Sequence, residues 1–226
     1  MKPLRFAMFG AGFWAPYQLA AWQEVEGASC VAIYNRTREK AERMAQRFGV
    51  GGVYDDAEQL FNSEQVDFVD IVTDAATHRE LVLMAARHRV PAICQKPLAN
   101  SLTDARAMEA ACREAGVPLL VHENWRWQTP LRALKEVLES GRIGRIFRGR
   151  IQYSNSFPVF ENQPFLKDLD RFLLTDIGTH ILDVARFVFG EAELTYCQTY
   201  QVHAQIRGED VATVMMEMNG ATVVVE

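Results

Sequence analysis

Two glycines at positions 10 and 12, set between an apolar run and an amphipathic one, constrain this chain more than any other feature. Residues 4–9 read as a short strand, and the residues from Trp14 onward read as a helix. A chain that passes from strand to helix through Gly10-x-Gly12-x-x-Ala15 turns tightly at the first glycine and opens its backbone N–H groups at the second. The third position needs a small side chain for helix–strand packing, and alanine serves. Such a turn suits a pyrophosphate held at the positive end of a helix. Gly10 and Gly12 are therefore candidate cofactor contacts, with Phe13 and Trp14 between the glycines and the helix. A plain connecting turn explains the same spacing, so the motif takes its weight from its setting.

That setting is an alternation of apolar runs and amphipathic stretches, the rhythm of a parallel sheet with crossover helices. Strands are expected at residues 4–9, 30–34, 66–72, 92–94 and 119–121, with a weaker one at 52–54. Helices are expected at residues 14–26, 38–48, 57–62, 79–89 and 102–115. Ser101 and Asp104 resemble a capping box, and Gly116 followed by Pro118 stops the same helix. After residue 121 the pattern changes. A helix at 131–140, an alternating strand near 146–154, an aromatic loop through Phe165 and a helix at 177–189 lead to strands at 194–205, 211–218 and from 221 onward. The last two are joined through a hairpin turn at Asn219-Gly220. The expected fold class is α/β: a doubly wound dinucleotide-binding domain over residues 1–122, then an α+β domain with a mainly antiparallel sheet over residues 123–226.

Composition narrows the function classes. A net charge of −5 with interspersed signs argues against the basic face that a nucleic-acid partner requires. Cys30, Cys94, Cys112 and Cys197 form no metal or redox spacing, so reduced thiols and no metal site are expected. The uncharged stretch from Phe6 to Trp22, preceded by Lys2 and Arg5, mimics a signal peptide, but Gly10, Gly12, Pro16 and Gln18 interrupt it. A strand, a turn and a helix account for it better, and a cytoplasmic protein without membrane contact is expected.

Three further groups carry chemistry. At the end of the second strand, ~20 residues beyond the glycines, a dinucleotide fold places an acid for the adenosine ribose. This chain has Asn35-Arg36-Thr37-Arg38 there. A neutral side chain, two guanidinium groups and a hydroxyl suit a 2′-phosphate and favour NADP(H), with NAD(H) open. The same residues also serve as an ordinary helix start, with Thr37 as its cap. Lys96 stands at the carboxyl end of the fifth main strand, where ligands bind in open α/β sheets. An ammonium there can stabilise negative charge developing on an oxygen. Asp176, His180 and Asp183 follow at helical spacing and share one face. A histidine with a carboxylate neighbour is a tunable proton carrier. A cap at Asp176 and a satisfied surface histidine is the other account of the same residues.

Taken together, the glycine turn, Gln95-Lys96-Pro97 and Asp176-x-x-x-His180-x-x-Asp183 resemble the Gfo/Idh/MocA oxidoreductases, which include glucose–fructose oxidoreductase and inositol dehydrogenase. The resemblance runs through nearly the whole chain. It implies a Rossmann domain, a nicotinamide cofactor and hydride transfer to or from a hydroxyl-bearing carbon of a sugar or polyol. In that family the tripeptide is usually Glu-Lys-Pro, and its lysine reaches the nicotinamide ribose and the substrate. Lys96 matches, and Gln95 departs by losing a charge. The resemblance makes His180 the group that takes the hydroxyl proton and puts Asp176 where substrate is bound or oriented. Thr73 and His78 fall where relatives have Thr-Pro-Pro-x-x-His lining the cofactor, with Asp74 and Ala75 replacing the prolines. Arg126 and Trp127 fall where relatives present an arginine to the substrate; a core role for the tryptophans fits equally. Family chains are usually longer, which implies a partial second domain, a sheet edge or face left uncovered after Glu226, and a homo-oligomer at full length. Two other activities fit the same resemblance: glycoside cleavage through transient use of the cofactor, and dinucleotide-dependent regulation without chemistry.

Overall fold

Phe6, Ala7, Met8 and Phe9 follow one another in β1 (Leu4–Phe9) and are all fully buried. A run buried on both faces belongs inside a parallel sheet covered by helices. In the computed structural model, which describes residues 3–226, β1 pairs in parallel with β2 (Ala28–Tyr34) and with β4 (Phe68–Ile71). Lys2, counted above among the positive residues ahead of the first strand, lies outside the described residues. With β3 (Gly52–Tyr54), β5 (Ala92–Gln95) and β6 (Leu119–His122) the sheet runs β3-β2-β1-β4-β5-β6, parallel throughout. The order reverses between β1 and β4, so their carboxyl ends flank the switch point where such sheets bind ligands.

The period of two along β1 assigns its side chains to two cores. Ala7 and Phe9 pack with Leu60, Val69, Ile71, Val82 and Met108 on one face. Phe6 and Met8 pack with Leu19, Ile33, Met44 and Phe68 on the other. Helices α1 (Ala15–Gln23), α2 (Arg38–Phe48), α3 (Ala57–Ser63), α4 (Ala75–Arg87) and α5 (Leu102–Ala115) cover these faces. Asp56 caps α3 by accepting from the Gln59 N–H, and Ser101 caps α5 by accepting from the Asp104 N–H at 3.0 Å. Helix α4 begins four residues ahead of the expected position 79, because Asp74 accepts from the Ala76 N–H at 2.9 Å and starts it there. The uncharged stretch from Phe6 to Trp22 is divided into strand, turn and helix.

The chain divides between His122 and Glu123. The second unit holds α6 (Thr129–Glu139), β7 (Arg148–Ile151), α7 (Val159–Asn162), α8 (Leu173–Asp176), α9 (Gly178–Phe189), β8 (Ala192–Tyr200), β9 (Val211–Met218) and β10 (Ala221–Val225). Asn219 and Gly220, at φ +49° and +73°, make the β9–β10 hairpin, since a two-residue turn of this hand needs positive φ at both central positions. The sheet order is β7-β10-β9-β8. Strand β7 is shorter than the 146–154 expected and pairs with β10 in parallel, so the sheet is mixed. Among the described residues β10 is therefore interior, and β7 and β8 lie at the two ends of the order. All nine residues of β8 are exposed. Ile181 and Ala185 of α9 close the core over Val214, Met216, Met218, Val223 and Val225. The segment expected to be an aromatic loop contains α7 and a 3₁₀ turn at Pro164–Asp168.

Gly10 combines a close approach with a positive φ. Its φ is +115°, and a methyl group there would stand 2.9 Å from the Val72 carbonyl oxygen. Gly10→Ala should lower stability by about 1–3 kcal/mol through backbone strain alone, read as a lower urea midpoint. An unchanged midpoint would show that the turn relaxes at no cost.

Candidate functional site

Gly12 differs from Gly10 in its surroundings. A methyl group at Gly12 would meet no atom within 4 Å, so the backbone there faces open space ahead of α1. Helix α1 opens with Trp14 at its cap position, Pro16 in its first turn and no side chain capping its first N–H groups. An open, uncapped helix start behind a glycine is suited to a phosphate. The residues fit a dinucleotide at this end of the sheet. Phe13, Trp14 and Tyr17 stand exposed beside the turn, with Tyr17 against both of the others at ring separations of 5.7 Å.

Asn35 turns back toward the glycine turn. Its Oδ1 accepts from the Ala11 N–H at 3.1 Å, and its Nδ2 donates to the Thr37 carbonyl at 2.9 Å. Thr37 precedes α2 without a side-chain cap bond. Arg38 is ion-paired with Glu42 at 3.0 Å and with Asp55 at 3.5 Å. Arg36 is exposed at the end of β2.

Lys96 follows β5 and is held through its neighbour. Gln95 Oε1 accepts from the Lys96 N–H at 2.8 Å. Gln95 Nε2 donates to Gln18 Oε1 at 3.1 Å and stands 3.4 Å from His122 Nδ1. Gln18 Oε1 also accepts from Trp14 Nε1 at 3.1 Å, and Gln18 Nε2 donates to both carboxylate oxygens of Asp70, at 2.7 and 2.6 Å. Trp22 Nε1 donates to Asp70 Oδ2 at 2.6 Å. A glutamate at position 95 could not donate to Gln18, so the amide has a local reason to be there. Asp70 is fully buried, and desolvation pushes its carboxyl up, opposed by the bonds from Gln18 and Trp22 and by charge on His122. Asp70 and Gln18 were not singled out by sequence: an aspartate inside an apolar strand pattern carries no sign of what answers it.

Thr73 and His78 serve the loops around this end of the sheet. Thr73 Oγ1 accepts from Thr77 Oγ1 at 2.8 Å. His78 is buried, with Nδ1 3.1 Å from the Pro97 carbonyl oxygen and Nε2 3.1 Å from that of Thr73. It ties the loop after β4 to the loop after Lys96.

In the second unit, His180 lies on α9 with Nδ1 2.7 Å from Glu123 Oε1. Its ring is stacked on Trp125, centroids 4.8 Å apart and planes 7° from parallel. Glu123 was missed by sequence, since 57 residues separate it from His180 and only the fold brings them together. Arg126, expected to face substrate, makes a two-pronged pair with Asp183, through Nε at 2.6 Å and through Nη2. Its guanidinium also lies over the Phe187 ring at 5.6 Å. Trp127 is exposed, and Asp176 ends α8 with its carbonyl accepting from Thr179 Oγ1 at 3.0 Å. Among the described residues no group of three or more His, Cys, Asp or Glu side chains is placed to hold a metal ion. No helix among them is long and apolar enough to cross a membrane.

Comparison with known proteins covers both units. The family model for "Oxidoreductase family, NAD-binding Rossmann fold" matches residues 4–123, and that for "GFO/IDH/MocA C-terminal domain" matches residues 131–226. The D-apiose dehydrogenase of Rhizobium rhizogenes (strain K84) is 48% identical over 227 residues, taking in 100% of this chain and 66% of that protein. The D-apiose dehydrogenase of Paraburkholderia graminis is 45% identical over 227 residues, taking in 100% of this chain and 60% of that protein. This chain thus spans just under two thirds of their lengths. An oxidoreductase from Agrobacterium radiobacter, solved in complex with NAD+, L-tartaric acid and magnesium, superimposes with a TM-score of 0.97 at 48% identity. The superposition covers 99% of this chain and 66% of that one.

The raised Asp70 carboxyl has a consequence for stability. The folded state holds this proton more tightly than the unfolded chain does. Its contribution is therefore full below the unfolded carboxylate pKa of about 3.9 and is lost as pH rises through the raised value. Asp70→Asn removes that loss, so the variant should gain on the wild type as pH rises from about 4, measured by urea unfolding across the range. A difference independent of pH would show that Asp70 titrates as it does unfolded.

Proposed function

The chain belongs to the Gfo/Idh/MocA oxidoreductases, and from that membership we propose that it transfers a hydride between a nicotinamide cofactor and a hydroxyl-bearing carbon of a small sugar or polyol. The observation that carries this is the open backbone at Gly12, ahead of α1 and beside the switch point of the parallel sheet. On this reading residues 1–122 hold the cofactor and residues 123–226 hold the substrate. The relatives named D-apiose dehydrogenase make D-apiose the first substrate to test.

Bound at the glycine turn, the cofactor supplies the hydride acceptor or donor, and the protein supplies orientation and electrostatics. His180 takes the proton of the reacting hydroxyl through Nε2, because Nδ1 is engaged by Glu123. The Lys96 ammonium, just after β5, is suited to stabilise negative charge developing on an oxygen. Gln95, fixed by Gln18, holds the Lys96 backbone in place for this task. Asp176 orients the substrate. Arg126 steadies α9 through Asp183 and sets the wall of the substrate site.

Formation of reduced cofactor on addition of D-apiose or related sugars and polyols tests the reaction. Product without accumulated reduced cofactor would point instead to glycoside cleavage by a transient redox cycle. His180→Ala should lower kcat by about 10²–10⁴-fold, the usual worth of a general base, while cofactor affinity stays near wild type. Lys96→Met should weaken both. A double variant far worse than the poorer single one would show that the two side chains do not act as a unit.

Arg36 sets cofactor choice on this reading. Asn35 lacks the charge that repels a 2′-phosphate, and an exposed guanidinium beside it binds one. NADPH should bind more tightly than NADH, and Arg36→Ala should weaken NADPH more. Equal losses for the two cofactors, measured by fluorescence titration, would remove Arg36 from that role.

A further inference from the structure

We propose that Glu123 is the positioning residue of His180, fixing which ring nitrogen bears the proton and holding the imidazole ready as a base. This rests on the reading of His180 as the group that takes the hydroxyl proton. The partner on Nδ1 comes from the segment that follows β6, not from the position one turn earlier on the histidine's own helix.

Both side chains are nearly closed off from solvent: 10% of His180 and 11% of Glu123 is exposed. An ionised carboxylate only accepts hydrogen bonds, so at 2.7 Å from Glu123 Oε1 the proton sits on Nδ1 and the lone pair on Nε2. The carboxylate is itself anchored, because the Trp125 N–H donates to the same Oε1 at 2.9 Å. The indole that follows that N–H lies flat on the imidazole, at 4.8 Å and 7°. Tyr153 packs against the indole, with ring centroids 5.5 Å apart. Turning the imidazole over would put carbon in place of Nδ1 and lose the bond to Glu123. A residue pair at 123 and 125 thus fixes the ring's plane, its rotamer and its tautomer at once. Partners that orient metal-bound histidines through the second nitrogen are typically worth about 10–100-fold, and the same task is set here without a metal.

Two variants separate charge from hydrogen bonding. Glu123→Gln keeps an oxygen that can accept from both Nδ1 and the Trp125 N–H, whereas Glu123→Met keeps the length and loses the acceptor. Long-range proton–nitrogen correlation spectra of protein labelled in its histidines, at alkaline pH where imidazoles are neutral, report the tautomer. A His180→Gln spectrum assigns the signal. His180 should carry its proton on Nδ1 in the wild type and in Glu123→Gln, and shift to Nε2 or to a mixture in Glu123→Met. In parallel, kcat should fall about 10–100-fold in Glu123→Met, with cofactor affinity unchanged, and recover in part in Glu123→Gln. A proton on Nε2 in the wild type overturns the assignment. So does a Glu123→Met protein that keeps both the wild-type tautomer and the wild-type kcat, or one that loses kcat with no change in tautomer. If His180→Ala is fully active while the tautomer still follows Glu123, the failure lies in His180 as the base, and Glu123 has then no reaction to serve.

Discussion

A carboxyl group in the middle of a parallel sheet must be answered by donors, and the hydrogen bonds that answer Asp70 on β4 come from α1. Gln18 and Trp22, one turn apart on that helix, donate to it at 2.6–2.7 Å. The burial that raises the carboxyl also makes these bonds expensive to leave unmade. They fix the rotation of α1 about its axis, and α1 begins at the glycine turn. Having given its amide hydrogens to Asp70, Gln18 has its oxygen left for Trp14 and Gln95. Through Gln95 the same chain of bonds reaches the backbone of Lys96. One buried carboxyl group therefore braces both the helix start suited to a phosphate and the lysine proposed to meet the reacting oxygen.

The second unit solves a similar problem with two carboxylates and the face of one helix. His180 and Asp183 are one turn apart on α9, and each is met by the segment that follows β6: His180 by Glu123, Asp183 by Arg126. Two pairs at neighbouring positions of both partners hold that segment against α9 in one register. The Arg126–Asp183 pair is two-pronged and partly buried, the geometry in which an ion pair orders its surroundings. A guanidinium so engaged holds the segment after β6 to α9.

Local chemistry was legible in the residues, and long-range pairing was not. Strand β1 and its turn could be read because four buried apolar residues and two glycines leave a chain few other conformations. The hairpin at Asn219-Gly220 could be read for the same reason, since positive φ at both positions is a local demand. The start of α4 was misplaced because Asp74 was weighed as a missing proline and not as a cap. The parallel pairing of β7 with β10 was out of reach: alternation in a strand says which face is buried and nothing about its partner. Lys96 and His180 stood out by type and position. Asp70, Gln18 and Glu123, which hold or tune them, are ordinary residues made special by neighbours 52, 77 and 57 positions away.

Cofactor choice turns on the same distinction between a residue's identity and its bonds. An acid at the end of β2 would offer two oxygens to a ribose and repel a 2′-phosphate. Asn35 spends its one oxygen on the Ala11 N–H, inside the glycine turn, and its amide on the Thr37 carbonyl. Both ends of the side chain are thereby tied to backbone, and Asn35 acts as a brace between the turn and the start of α2. On the proposed function, discrimination would pass to the cations that follow. Arg38 already has Glu42 and Asp55 beside it, so a phosphate would have to compete with two carboxylates. Arg36 is exposed at the strand end, and a guanidinium in that position can meet a phosphate with two parallel bonds or lie on an adenine face. The brace at Asn35 keeps the turn in shape for either cofactor, and on the proposed function Arg36 is the side chain whose removal would separate them.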